Sequence, residues 1–446
     1  ARSEMCIRDS AWHSHHLNHR EAVQPTQHRV VNSHFSIHNS ITMQIPPNSS
    51  TQNPGNLRSE IRALQSRLIE WRRHIHQEPE LGFKERLTAE YVAELLQGWG
   101  IEHQTGIAET GIVAMIKGEK PGDDKVLGIR ADMDALPIQE ENQVSYRSRH
   151  KGVMHACGHD GHTAIALGTA YYLNQHRQDF SGGVKIIFQP AEEGPGGAKP
   201  MIEAGVLENP AVDAIIGLHL WNDLPIGSAA IKPGAFMAAI SVFNCTILGQ
   251  GGHAALPHQT IDSVVISAQV VNALQTIVSR NINPLDSAVI SIGELHAGTK
   301  MNVIADTARI AGSIRYFNDD VIKLIEQRIE QVIDGICRAH GAKYTFECSK
   351  IYPPLVNDPE ITALVTSKAS QLIENPESIL SEYQTLGSED MSFFLQEVPG
   401  CYFFLGSANA AEKLNYPHHH PKFDFDETAL AMGVEMFVGC AENFLG

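Results

Sequence analysis

Residues 154–162 contain the densest group of reactive side chains in the sequence, Met-His-Ala-Cys-Gly-His-Asp-Gly-His. Cys157 and His159 are two residues apart on a glycine-containing turn, so both side chains can reach one side of it and bind one metal ion. The N-terminus of a helix that begins just after the turn favours the thiolate form of Cys157. The spacing predicts a metal site, with His155 and His162 as weaker candidates. A buried cysteine beside capping histidines is the alternative.

Adjacent carboxylates, Glu192 and Glu193, follow the apolar run that ends at Phe188. Functional groups of open α/β sheets gather at such strand ends. Because neighbouring side chains diverge, one carboxylate can bind a metal ion while the other takes the proton of an attacking water. Spacing does not say which glutamate has which role, and a solvated acidic loop is the alternative.

Histidines at two further places could complete the site. His219 ends the apolar run 214–218, where an imidazole is either a core residue or a ligand. Near the C-terminus, three consecutive histidines precede a proline: His418, His419 and His420. With Cys157, His159 and a glutamate, His219 and one of these three supply enough ligands for two divalent ions.

Four other polar residues are candidates for supporting roles. Asp132 and Asp134 follow an apolar strand, and we interpret them as groups that orient the ligand histidines, with a turn role as the alternative. Farther along, a glycine-rich approach allows His253 to reach outward. Arg315 offers a planar guanidinium suited to a substrate α-carboxylate, although a surface ion pair would be preferred without the other features. Asn302 is a further polar candidate of that region.

The elements that position these residues follow from hydrophobic periodicity. Helical spacing at 57–75, 88–99 and 163–173 alternates with β-rich runs, among them 184–188 and 214–220, as in an α/β sheet domain. Between residues 238 and 350, the order strand, helix, strand, strand, helix, strand predicts an inserted ferredoxin-like βαββαβ module. We therefore expect an α/β fold whose catalytic domain comprises residues 56–237 and 351–446.

Residues 1–55 are rich in His, Asn, Ser, Gln and Pro and lack both hydrophobic periodicities, so we expect a disordered extension. Its seven histidines could be a metal-buffering tract. An upstream or vector-derived sequence translated in frame is the preferred interpretation, with Met43 as the native start.

Composition excludes several classes of function. A chain of 446 residues that is 43% hydrophobic can bury a large core. Its formal net charge of −17 repels phosphate backbones and anionic lipids, so neither nucleic acid nor membrane is an expected partner. The sequence shows no bilayer-spanning apolar run and no secretory leader, so we expect a cytoplasmic protein. Seven scattered cysteines are typical of reduced thiols rather than of a disulfide scaffold.

Several separated motifs resemble the M20 metallopeptidase family, specifically its amidohydrolase branch of hippurate hydrolases, auxin-conjugate hydrolases and N-acyl-amino-acid deacylases. The resemblance covers nearly everything after residue 56. It rests on Arg72-Arg73-His74-Ile75-His76 with Pro79-Glu80-Leu81-Gly82, the segments of Asp132 and Cys157, Glu192-Glu193-Gly194, His219, Gly252-His253, and Gly387-Ser388-Glu389-Asp390-Met391-Ser392. It implies a catalytic domain with two bound metal ions and a smaller lid domain, residues 238–350, that commonly makes the dimer contact.

By similarity, Glu192 is the general base, and the metal ligands are Cys157, His159, Glu193, His219 and His419. His419 is selected because the last ligand of the family stands two residues before a proline, and His418 and His420 remain alternatives. His253 is similar to the lid histidine that can reach a neighbouring active site, where we expect it to stabilise the oxyanion. Asn302 and Arg315 resemble substrate-binding groups of the lid.

The resemblance implies a hydrolase that cleaves the amide bond of N-acyl amino acids, whether hippurate-like or N-acetyl, with two Mn²⁺ or Zn²⁺ ions or with Co²⁺ or Ni²⁺. A homodimer or homotetramer is expected. The alternatives are a dipeptidase or N-acetyl-diaminopimelate deacetylase of the same family, a thiol hydrolase with Cys157 as nucleophile, and a catalytically silent binding homologue. Chelation separates the metal enzyme from the thiol enzyme, and hydrolysis of an N-acyl amino acid excludes the silent homologue.

Overall fold

The structure, a computed structural model, describes residues 56–446. The predicted extension 1–55, with its histidine tract and Met43, lies outside the described residues. Short 3₁₀ turns occur at Arg177–Asp179, Pro257–Gln259 and Pro376–Ser378. The α-helices of the described part are, in chain order, α1 (Ser59–Gln77), α2 (Arg86–Gly98), α3 (His159–Gln175), α4 (Ala198–Glu203), α5 (Ser263–Asn281), α6 (Asp319–His340), α7 (Pro359–Leu372), α8 (Met391–Glu397) and α9 (Thr428–Leu445).

The strands alternate with these helices through most of the chain. They are β1 (Glu102–Ile107), β2 (Gly111–Lys117), β3 (Val126–Asp132), β4 (Gly183–Gln189), β5 (Ala214–Pro225), β6 (Ala229–Ala230), β7 (Gly234–Met237), β8 (Ala239–Leu248), β9 (Gly252–His253), β10 (Ala288–Ala297), β11 (Val303–Ile304), β12 (Thr307–Tyr316), β13 (Lys343–Tyr352), β14 (Leu355–Asn357), β15 (Ile379–Leu380) and β16 (Gly400–Ala408).

An eight-stranded mixed sheet forms the centre of the fold, in the order β1-β2-β4-β3-β5-β16-β6-β15. The middle strands β4, β3, β5 and β16 are parallel neighbours. Both faces are covered: Ile186 packs into a core that includes residues of α1, α3 and α9, and the next residue, Ile187, packs into a second core with residues of α4 and α8. Strands buried on both faces explain the continuous apolar runs of the sequence. This is the expected α/β arrangement around a large sheet.

Residues between Ala239 and Tyr352 form a separate four-stranded antiparallel sheet in the order β10-β12-β8-β13. Its elements follow one another as β8, α5, β10, β12, α6 and β13, which is a βαββαβ order. Helix α5 begins where the Asp262 carboxylate accepts from two backbone amides, and α6 ends at Gly341 in the left-handed conformation. Both helices contact the sheet and share a core with it.

Two further observations concern the described residues as a whole. None of their helices combines the length and the apolar character that crossing a bilayer requires. Their six cysteines form no disulfide.

Candidate metal centre

Parallel strands of the central sheet bring Asp132, Glu192 and His219 to one edge. Gln189, the last residue of β4, lies opposite Asp132, the last residue of β3, and Glu192 follows three residues later. Strand β5, which contains His219, is the parallel neighbour of β3 on its other side. Side chains at this edge converge because the strands run in the same direction.

The turn of Cys157 places its thiol beside His219. Gly158 precedes α3 with a φ of 92°, a left-handed conformation that glycine adopts without strain. The Sγ atom of Cys157 is 3.5 Å from Nε2 of His219. Nδ1 of His219 is 2.7 Å from the carbonyl oxygen of Leu220, so this hydrogen bond assigns the proton to Nδ1. The lone pair of Nε2 therefore faces the thiol.

His159 presents a ring nitrogen to the same place. Its Nδ1 is 2.9 Å from the carbonyl oxygen of Asp134, whereas its buried Nε2 has no hydrogen-bond partner within residues 56–446. The ligand atoms of Cys157, His159 and His219 all lie within 4.8 Å of one another. A buried imidazole nitrogen without a partner is costly unless a ligand satisfies it.

A second group shares Cys157 and adds Glu193 and His419, again with ligand atoms within 4.8 Å of one another. Nε2 of His419 lies 3.1 Å from Oε1 of Glu193, yet this buried oxygen accepts no hydrogen bond from the described residues. His419 has a φ of 64°, which is uncommon for a residue other than glycine. Its amide donates to the carbonyl oxygen of Ala156 at 2.8 Å, which holds the strained residue against the cysteine turn.

The histidines on either side of His419 make other contacts. Nε2 of His418 is 2.9 Å from the carbonyl oxygen of Leu220, and burial lowers the pKa of His418 to about 4. Nδ1 of His420 accepts from the amide of Lys422 at 3.0 Å. Of the three candidates, His419 is the one that the structure places beside Glu193.

The weaker candidates of the cysteine segment differ from each other. Nδ1 of His162 is 2.6 Å from the Asp132 carboxylate, and its Nε2 accepts from the amide of Leu220 at 2.9 Å. Both nitrogens are therefore occupied. His155 is buried with neither nitrogen hydrogen-bonded within the described chain, and burial lowers its pKa to about 3. It is a neutral core residue.

The gathered side chains fit two divalent ions, because one sulfur, three imidazole nitrogens and one carboxylate supply the soft and borderline ligands that such ions prefer. Burial, followed by the charge of Glu193, raises the pKa of the Cys157 thiol well above its usual range. The predicted stabilisation of the thiolate by the helix N-terminus is thus outweighed. A thiolate here requires a neighbouring cation, and the raised pKa disfavours Cys157 as the nucleophile of a thiol hydrolase.

Asp134 positions the two glutamates. Its carboxylate oxygens accept from the amides of Glu192 and Glu193, both at 3.0 Å. The same carboxylate is 3.3 Å from Nδ1 of His159. Asp134 therefore contacts the imidazole of His159 and also fixes the backbone of the glutamate pair.

A buried charged network behind Glu192 was not anticipated. The Arg130 guanidinium contacts Asp132 at 2.7 Å, Glu389 at 2.8 Å and Asp390 at 2.9 Å. Carboxylate oxygens of Glu192, Glu389 and Asp390 lie within 4.8 Å of one another. Burial and the charge of Glu389 raise the pKa of Glu192, so this carboxylate can hold a proton. The sequence does contain one signal of this network, because Arg130 is a charged residue inside the apolar run of β3.

A cavity of about 530 Å³ opens beside this cluster. Arg315 of β12 borders the cavity, where it donates to the Ser388 hydroxyl, and it makes no ion pair with a carboxylate of the described residues. Burial lowers the pKa of Arg315. Apolar side chains form other parts of the wall: Trp221, Met237, Ile240 and Ile351. The cavity therefore combines a cation, apolar surface and the glutamate pair.

Two predicted site residues, His253 and Asn302, do not line this cavity. His253 is exposed on β9, which pairs with β11 just after Asn302. That two-stranded ribbon extends beyond the end of the sheet at which Thr307 pairs with Leu248, whereas Arg315 lies eight residues farther along β12. Eight residues of strand span about 25 Å, so Asn302 and Arg315 lie far apart within one chain.

The protein-family model described as Peptidase family M20/M25/M40 matches residues 128–443. The chain belongs to this family. The predicted resemblance is confirmed, and with it the assignment as an M20 hydrolase.

Relatives within the M20 family agree. An N-acyl-L-amino acid amidohydrolase of Geobacillus stearothermophilus is 47% identical over 294 residues, which are 66% of this chain and 78% of that protein. Thermostable carboxypeptidase 2 of Saccharolobus solfataricus is 42% identical over 381 residues, 84% of this chain and 95% of that protein. The crystal structure of the Bacillus subtilis YXEP protein, described as a dinuclear metal binding peptidase, superposes with a TM-score of 0.75 at 35% identity and covers 86% of this chain and 99% of its own.

Proposed function

We propose that this M20 enzyme hydrolyses the amide bond between an acyl group and the α-nitrogen of an amino acid, giving a carboxylic acid and a free amino acid. One observation carries the proposal: a single cavity is lined by Glu192, by Cys157 with its neighbouring ligand candidates, and by the guanidinium of Arg315. This guanidinium has no carboxylate partner in the described chain. An N-acyl amino acid matches this arrangement, because its amide lies one carbon away from a free carboxylate.

The names of the relatives favour the same class of reaction. The Geobacillus protein is named for N-acyl-L-amino acids, which supports the proposed substrate. The Saccharolobus protein is named a carboxypeptidase, so short peptides are the second class of substrate to test.

Two divalent ions would be held by Cys157, His159, Glu193, His219 and His419. Such ions, when bound, polarise the acyl carbonyl and acidify water. The buried Nε2 of His159, which has no hydrogen-bond partner within residues 56–446, supports this assignment. The thiolate favours Zn²⁺, while the carboxylate and imidazoles also accept Mn²⁺, Co²⁺ or Ni²⁺.

Glu192 acts as general base and then as general acid. It takes a proton from the attacking water, whose oxygen bonds to the acyl carbon. When the C–N bond breaks, Glu192 returns that proton to the departing nitrogen, so the free amine leaves neutral. The Arg315 guanidinium binds the α-carboxylate and thereby fixes the amide relative to Glu192.

The four-stranded sheet, residues 238–350 of the predicted lid, would close the cavity and form the dimer or tetramer contact. The exposed ribbon of His253 and Asn302 supports this idea, because neither side chain reaches the cavity of its own chain. In a homodimer or homotetramer, His253 would reach the neighbouring active site and stabilise the oxyanion there, and Asn302 would contact substrate.

The proposal is tested by restoring chelator-treated protein with each divalent ion in turn and assaying N-acetyl, N-benzoyl and N-hexanoyl amino acids beside dipeptides and N-acetyl-diaminopimelate. We expect metal-dependent release of free amino acid from N-acyl substrates. Glu192→Gln should keep its metal content and lose several orders of magnitude in kcat. Preference for dipeptides, activity that survives chelation, or near-normal turnover of Glu192→Gln would contradict the proposal.

A further inference from the structure

The loop at 190–198, called here the catalytic loop, includes Glu192 and is fixed by carboxylates of the central-sheet region. Glu85 accepts from the amide of Ala191 at 2.8 Å. Asp134 accepts from the next two amides, and Asp390 accepts from the amides of the two residues at 197 and 198, each at 3.0 Å. The amides at both ends of the loop are thus held by the part of the fold that also supplies the metal-binding residues.

Tyr352 makes a different kind of contact with the catalytic loop. It is the last residue of β13, a strand of the four-stranded sheet, and its hydroxyl donates to the carbonyl oxygen of Glu192 at 2.9 Å. Its ring also covers Gly196, where an added Cβ would lie only 3.2 Å from a ring carbon. A side chain from the second sheet therefore holds the residue assigned as general base.

Arg315 and Tyr352 belong to one row of cross-strand neighbours in the four-stranded sheet. Tyr352 of β13 pairs with Ile240 of β8, and Ile240 pairs on its other side with Arg315 of β12. All three residues border the cavity. The row therefore spans from the guanidinium available for a substrate carboxylate to the hydroxyl bound to Glu192.

We propose that Tyr352 is a positioning residue: its hydrogen bond fixes Glu192 relative to the cross-strand row that contains Arg315. Substrate binding by Arg315 and placement of the base would then depend on the same row of residues. This inference rests on the function proposed above. Any reorientation of the four-stranded sheet relative to the central sheet would change both contacts together. The established hydrogen bond is local, but its consequence is a coupling between the two sheets.

The hydroxyl of Tyr352 makes the polar contact between this side chain and the catalytic loop. Tyr352 also borders a second cavity of about 600 Å³, whose wall includes Pro353 and Phe393. Loss of the hydroxyl would free the carbonyl of Glu192 and allow a shift of the base, and a misplacement of about 1 Å can cost roughly 100-fold in rate.

Tyr352→Phe removes only the hydroxyl. We expect kcat to fall about tenfold or more, with KM, metal content and melting temperature close to those of the unmodified protein. The matched control is Tyr316→Phe, which removes a hydroxyl of the same sheet that faces Ser241 and has no contact with the catalytic loop. Its kcat should be unchanged. A kcat of Tyr352→Phe within twofold of the unmodified protein, or a loss confined to KM, overturns the inference.

A double-mutant cycle shows whether Tyr352 acts through Glu192. In a Glu192→Asp background, the shorter carboxylate is already displaced, so Tyr352→Phe should lower kcat by less than twofold. An equal fold-loss in both backgrounds would mean an independent effect and overturns the inference. The two proposals fail differently: normal turnover of Glu192→Gln removes the proposed function, whereas an inactive Glu192→Gln beside a fully active Tyr352→Phe removes only the coupling.

Discussion

Replacing Arg315 by alanine should lower activity selectively, in proportion to the negative charge at the carboxyl end of the substrate. The guanidinium borders the cavity, donates to Ser388 and makes no ion pair with a carboxylate of residues 56–446. Its removal therefore breaks no ion pair of that part of the chain. A substrate carboxylate that binds the planar fork would lose two charge-assisted hydrogen bonds.

The size of the effect follows from those two bonds. A hydrogen bond to a charged group contributes roughly 1.5–3 kcal/mol, and the partial exposure of Arg315 favours the lower end of that range. Two such bonds give about 3 kcal/mol, which corresponds to roughly 100-fold in kcat/KM. Arg315→Lys keeps the charge but loses the fork, so its loss should be intermediate.

The assay compares kcat/KM for an N-acyl amino acid and for its α-amide, in the unmodified protein, Arg315→Ala and Arg315→Lys. We expect a loss of roughly 100-fold for the acid and less than tenfold for the amide, because the amide presents no charge to the guanidinium. Equal losses for acid and amide would refute the role of Arg315 in carboxylate binding, whatever their size.

Three other predictions concern the supports of the site and the fold. In Gly82→Ala, the new Cβ would lie 2.8 Å from a carbonyl oxygen of the catalytic loop, so kcat should fall about tenfold; unchanged kcat would contradict the close packing. Lys368→Met breaks a 2.6 Å buried contact with Glu435, which Arg58 still contacts at 3.2 Å, so the free energy of unfolding in urea should fall by about 2 kcal/mol; a loss below about 0.5 kcal/mol would contradict this prediction. Burial lowers the pKa of His76, but Asp160 outweighs burial and raises it to about 9. Below pH 6.5, the free energy of unfolding of the unmodified protein should exceed that of His76→Gln by about 3 kcal/mol, and this difference should disappear as the pH rises through 9. A difference in the free energy of unfolding that stays constant between pH 6 and 10 would be inconsistent with this prediction.

Periodicity located the long elements of the fold well. A helix expected at 57–75 is found at Ser59–Gln77, and one expected at 88–99 is found at Arg86–Gly98. Both helices are recognisable because apolar residues recur every three or four positions along them. The strand Glu102–Ile107 was missed because most of its residues are exposed, and the two-residue strand Ala229–Ala230 exists only through its sheet partners. Local sequence contains no signal for such pairing.

The candidate site likewise contains residues that the local sequence indicated and others that only the folded structure brings together. Spacing and strand ends indicated Cys157, the glutamate pair and His219, which depend on local geometry. Three consecutive histidines could not be separated by spacing, because the left-handed backbone of His419 decides which ring faces the cluster. The contact between Tyr352 and Glu192 joins residues 160 positions apart, so only the folded chain reveals it.

In the proposed metal centre, one sulfur, three imidazole nitrogens and one carboxylate hold a pair of cations. Anomalous diffraction from crystals loaded with Zn²⁺ or Mn²⁺ tests it directly. We expect two anomalous peaks, both within bonding distance of side chains from the set Cys157, His159, Glu193, His219 and His419. A single peak, or peaks bound by other residues, would contradict it.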